Sequence, residues 1–240
     1  MPTYGCLHPP SADLDEVPNA LNPSLLPVPP SRQDVIAVAN AAGLDRFVYV
    51  GHSMGGGVGL HLALSRHAAR LLRLVLVTPI PCRGVYDPAN THAAEIERRA
   101  SFSFADWSAY RRSVHARTDY IDMTPEEWAT AILLDRSVSR AYYDGSWQSM
   151  CEFRVDPAKV AVPTLMVAGA CDNLLGNNLH DFKALPNATL HVFSRVAHGV
   201  PREAPAGLAD AIDDFVQHGV QTWQTVLRNA ALPASKESKL

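Results

Sequence analysis

The stretch VYVGHSMGGG, Val48 to Gly57, decides how the chain is read. The residues that lead into it, RFVYV (Arg46 to Val50), are β-branched and aromatic, as in a short buried strand. The residues that follow it, VGLHLALSRHAARL (58–71), carry a helical pattern. A serine between glycines at such a junction takes strained backbone angles. Gly51 and Gly55, two residues to either side of Ser53, lack the Cβ that would hold strand and helix apart. The turn presents the Ser53 hydroxyl at the C-terminal edge of a sheet, in front of the unpaired N–H groups that open the next helix. A purely structural glycine turn is the plain alternative. A dinucleotide loop fails on spacing, because Leu60 stands where the third glycine would follow Gly55 and Gly57. The Gly-Lys-Ser/Thr of a phosphate loop is absent.

Working outward, strands alternate with helices. SRQDVIAVANAAG (31–43) predicts a helix capped by Ser31, with Asp34 at the third position, Val35, Val38, Ala39 and Ala42 on one face, and Gly43 at its end. RLVLVT (73–78), VPTLMVAG (162–169) and ATLHVF (188–193) read as further strands. NLHDFKAL (178–185) reads as a helix stopped by Pro186. PREAPAGLADAIDDFVQHG (201–219) reads as another, with Leu208, Ile212, Phe215 and Val216 on one face. This alternation predicts an α/β fold: a mostly parallel sheet of four recognisable strands flanked by helices, over residues 31–80 and 158–219.

Residues 81–157 break the rhythm. They contain helix starts, SFADW and TPEEW, and no convincing strand, so they predict a helical cap inserted between two strands. Eleven of the chain's 18 aromatic residues fall there. Some are expected to face the main domain as a lid would, the alternative being a small core of the insertion's own. Residues 1–30 hold eight prolines and predict an irregular leader; residues 220–240 read as a loosely held tail.

The whole chain of 240 residues is 47% apolar with a net charge of −3 and scattered basic residues. That predicts a globular protein with neither nucleic acid nor a membrane surface as partner. No apolar run approaches the roughly 20 residues a membrane helix needs, and the first residues lack the pattern of a secretory signal. Cys6, Cys82, Cys151 and Cys171 form no CxxC pair, consistent with free thiols and a cytoplasmic location. No spacing suggests a metal, and no cofactor is expected.

VGHSMGG followed by a helix resembles the α/β-hydrolase fold superfamily, and the likeness extends over roughly residues 31–219. In that family the chain order is nucleophile, acid, base. A serine hydroxyl needs a base that titrates near neutrality, and histidine is the natural one. Of ten histidines, only His198, in RVAHGVP, lies in a loop just past the last strand, at the edge where Ser53 would be. His115 and His180 are expected on irregular or exposed helical positions. The neighbours of His198 resemble the family's terminal Gly-His loop, with Ala197 where glycine is common. Asp172, in VAGACDNLLG, follows the third strand and resembles the family's G-x-x-D position. Asp181 is one short helix further on and is expected to face solvent.

The resemblance implies acyl transfer: Ser53 as nucleophile, His198 as base, Asp172 as its partner, and the backbone N–H of Met54 as oxyanion donor. It also implies strands before Ser31 that have no counterpart here, including a loop that supplies the second oxyanion donor. RFVYV is then expected at an exposed edge open to self-association. The expected substrate is a small, apolar ester, lactone or related carbonyl compound. The alternative is a weakly active or inactive hydrolase-fold protein that binds a small apolar ligand under the cap. A serine in place of aspartate argues against dehalogenase or epoxide hydrolase chemistry.

Overall fold

A computed structural model describes residues 31–85, 103–137 and 140–223, together with 225 and 227. The expectations for the leader (1–30), for residues 86–102 and for most of the tail lie outside the described residues.

Among the described residues, four strands form one sheet: β1 (Phe47–His52), β2 (Leu71–Val77), β3 (Thr164–Gly169) and β4 (Ala188–Phe193). They lie in the order β1-β2-β3-β4, and every pair is parallel. Successive side chains of a strand point to opposite faces, so a strand covered on both faces must be apolar throughout. β2 and β3 obey this. Leu74, Leu76 and Met166 enter one core with Ile36, Leu60 and Leu62; Val75, Val77, Leu165 and Val167 enter the other with Leu208 and Phe215.

Those two cores place the helices. α1 (Arg32–Ala41), α2 (Met54–Ala63) and α6 (Leu175–Ala184) cover the first face; α8 (Pro205–His218) covers the second, after the short α7 (Val200–Glu203). α1 begins with the expected capping box. Ser31 Oγ accepts from the Gln33 N–H at 3.2 Å, and the Asp34 carboxylate accepts from the Ser31 N–H at 2.6 Å. The bond from the Ser31 N–H, with a second from the Ser31 hydroxyl at 3.0 Å, holds the Asp34 carboxyl below its ordinary range. The expected inner face shifts by a residue: Ile36 and Ala39 are buried, whereas Val38 is 66% exposed. The helix after Ser53 also stops early, at Ala63, with a separate turn at Ala68–Arg70 before β2.

Among the described residues, three α-helices lie between β2 and β3: α3 (Phe104–Thr118), α4 (Pro125–Ser137) and α5 (Arg140–Glu152). α3 starts at a Ser103–Asp106 capping box, and α4 at Thr124, which pairs reciprocally with Glu127. The large side chains of this segment divide. Phe153 and Met150 pack on the core beside Leu60 and Ile80, while Trp128 meets His115 edge-on within the insertion. His115 is therefore buried rather than exposed, and pairs with Asp119 at 2.9 Å. Among the described residues β1 pairs with β2 alone, and Val50 is 47% exposed. No helix among them is long and apolar enough to cross a membrane.

Candidate active site

Parallel strands all end on the same side, so the residues that follow β1, β2, β3 and β4 share one rim. Strain collects there. Among the described residues the non-glycine positions with positive φ are Ser53 (53°), Thr78 (40°) and Arg195 (59°), each one or two residues past a strand.

The Ser53 main chain is fully engaged. Its N–H donates to Val77 O at 2.9 Å, and its carbonyl accepts from Gly56 N (2.9 Å) and Ile80 N (3.1 Å). The side chain alone is left to face the rim. Gly51 is necessary for this turn: a Cβ there would stand 2.3 Å from the Gly55 carbonyl oxygen. Gly55 is not needed for the same reason, because a Cβ on it would meet nothing nearer than the Tyr49 hydroxyl oxygen at 3.9 Å. The symmetrical crowding expected on either side of Ser53 exists on the strand side only. Met54 is the first residue of α2, so its N–H has no carbonyl one turn back to bind.

His198 and Asp172 come to the same place. His198 Nε2 lies 2.9 Å from Ser53 Oγ, and His198 Nδ1 lies 3.1 Å from Asp172 Oδ2. A carboxylate accepts, so Nδ1 carries the ring proton and Nε2 is left to accept from the Ser53 hydroxyl. The Asp172 side chain is fully buried and its other oxygen accepts from the Leu174 N–H at 3.0 Å. The two loops are stitched together by Cys171 N to Val196 O at 2.8 Å. They approach this closely because residue 169 is glycine: a Cβ there would fall 2.2 Å from Ala197 O.

Asp181 does not face solvent. It is 4% exposed and its carboxylate accepts from the Cys82 N–H at 2.7 Å, so it serves the junction between β2 and the insertion. Burial and this carboxylate push the Cys82 thiol well above the ordinary range, which leaves it inert. Sequence reasoning missed two residues at the rim. His52 Nε2 donates to the His198 carbonyl at 2.8 Å, and the fully buried Thr78 donates its hydroxyl to the same oxygen at 3.2 Å. His52 borders the serine in the motif itself, which is the one signal available. A small cavity of about 60 Å³ lies beside Met54, between Val58 and His61 of α2, Met150 of α5 and Phe153 just past it. Among the described residues no group of three or more His, Cys, Asp or Glu is arranged to hold a metal ion.

The family model described as the alpha/beta hydrolase family matches residues 2–211. The chain belongs to that family. It is an enzyme of the α/β-hydrolase kind. It is 28% identical over 199 residues to RutD of Caulobacter sp. (strain K31), whose name proposes carbamate hydrolysis; the match covers 76% of this chain and 70% of that one. Its fold is similar to that of a hydrolase from Pseudomonas aeruginosa PA01 (TM-score 0.65, 21% identity, 78% of this chain and 72% of the other). It is also similar to that of the enol-lactonase from Burkholderia xenovorans LB400 (TM-score 0.62, 18% identity, 79% and 74%).

Proposed function

We propose that the protein is a serine hydrolase that cleaves an ester, lactone or related small carbonyl substrate through an acyl-enzyme. The observation that carries this reading is the chain of contacts from Ser53 Oγ through the His198 ring to Asp172, at 2.9 and 3.1 Å. Ser53 attacks the carbonyl carbon while His198 Nε2 takes its proton. Asp172 holds the ring orientation and stabilises the imidazolium that forms. The negative charge that develops on the carbonyl oxygen is met by the Met54 N–H at the start of α2. His198 then returns its proton to the leaving group, and the same nitrogen activates the water that releases the acyl group.

The cavity beside Met54 is lined by Val58, Ile80, Met150 and Phe153 together with His61 and Ser149, and its size suits a short group next to the reacting carbon. Carbamate and lactone substrates, in the names of the relatives, are both small acyl compounds of this class. We read the protein as cytoplasmic and free of metal or organic cofactor. The test is turnover of p-nitrophenyl acetate and butyrate, with labelling of Ser53 by a fluorophosphonate. Turnover that survives Ser53→Ala overturns the reading.

A further inference from the structure

The main chain of His198 is gripped from two directions. Its carbonyl accepts from His52 and Thr78, which stand at the ends of β1 and β2. Its N–H donates the other way, to Thr118 O at 2.8 Å, at the C-terminus of α3 in the insertion. Glu203, on α7, spans the same gap. Its Oε2 accepts from the N–H of Ala197, directly before the histidine, at 2.8 Å. Its Oε1 accepts from the N–H of Tyr120, in the insertion, at 2.8 Å. The Glu203 side chain is 0% exposed. Arg202 completes the junction: it lies 3.6 Å from Glu203 and 3.1 Å from Asp119, and donates to the carbonyls of Ile121 and Asp122. A buried carboxylate is costly unless its oxygens are bonded, so each oxygen of Glu203 holds its own backbone segment firmly in place.

We propose that Glu203 is a positioning residue that couples the helical insertion to the catalytic base. Residues 118–122 and 195–199 then move as one unit, and displacing the insertion draws the His198 ring away from Ser53. The consequence for rate rests on the serine-hydrolase reading; the coupling itself does not.

Glu203→Gln in the full chain tests it. Glutamine keeps the shape but has a single acceptor oxygen, so one of the two N–H groups loses its partner. In hydrogen exchange followed by mass spectrometry, peptides covering 118–122 and 195–199 should both exchange roughly tenfold faster, while β3 is unchanged. With p-nitrophenyl acetate, kcat should fall roughly 10- to 100-fold with KM held within about twofold, and fluorophosphonate labelling should slow in parallel. Loosening of one segment without the other, no change in either, or faster exchange through the whole sheet each overturns the proposal. If Glu203→Gln fails to fold, Tyr120→Pro removes the N–H on the insertion side, together with the ring that Arg195 meets, after a residue, Asp119, already extended at φ −117° and ψ 145°. Tyr120→Ala, which keeps that N–H, is its reference. Tyr120→Pro should loosen 195–199 relative to Tyr120→Ala, and equal exchange in the two refutes the coupling. Should the wild-type protein neither turn over the ester nor take the label, the hydrolase reading fails, and the exchange comparison still decides the coupling.

Discussion

The Ser53 turn and the His198 loop meet at one point but are held there in different ways. Ser53 is fixed by its own turn and the strand beside it: its main chain bonds to Gly56 and, across to the end of β2, to Val77 and Ile80, and Gly51 lets the strand pass within contact distance of the Gly55 carbonyl. His198 is fixed from far away, by His52, Thr78, Asp172 and Thr118, with Glu203 holding the preceding residue. The nucleophile is thus a property of one turn braced by the adjacent strand, and the base a property of the assembled rim. A local motif can specify the first but not the second.

The largest expected effect falls where the local motif carries the chemistry. Ser53→Ala should lower ester turnover by about 10⁴-fold or more and abolish fluorophosphonate labelling, with circular dichroism unchanged. Retained labelling at another residue would move the nucleophile away from this turn. Asp172→Asn comes next. The amide no longer favours the tautomer with its proton on Nδ1, so kcat should fall by roughly 10³- to 10⁴-fold with the fold intact. A loss of tenfold or less would show that the contacts around the His198 main chain are enough to orient the ring.

The comparison also explains what could be read in advance. The four strands, the capping boxes at Ser31, Ser103 and Thr124, and the positions of Ser53, Asp172 and His198 relative to strand ends are all short-range patterns. Their physical causes lie within a few residues of each other. Asp181 and His115 depart from expectation because their burial has tertiary causes. Asp181 is drawn inside by the N–H of Cys82, 99 residues earlier, and His115 by Trp128 and Asp119. Val38 lies on the apolar side of a helical wheel, but α1 is rotated so that Ile36 and Ala39 meet the core. No pattern in the sequence marks Glu203 or Thr78, because each acts through a backbone group brought close only by the fold.

A sharper separation of near and far support comes from the two glycines of the motif, and here the effects become smaller. In Gly51→Ala the new Cβ meets backbone on the strand side that has no room to yield, at 2.3 Å from the Gly55 oxygen. Overpacking against backbone should cost about 1–3 kcal/mol or more in urea unfolding, and the start of α2 must shift to relieve it.

Gly55→Ala should differ in sign. Its Cβ would lie 3.9 Å from the Tyr49 hydroxyl oxygen, an ordinary contact, and residue 55 is already in the first turn of α2. Alanine is the better helix former by up to about 1 kcal/mol, so the unfolding midpoint should stay level or rise slightly. The G-x-S-x-G pattern treats the two glycines as equivalents, and the packing says that only the first is sterically required. A midpoint for Gly55→Ala that falls as far as that of Gly51→Ala would show that the helix side of the turn is as crowded as the strand side. The local support of Ser53 would then extend further into α2 than the contacts around Gly51 account for.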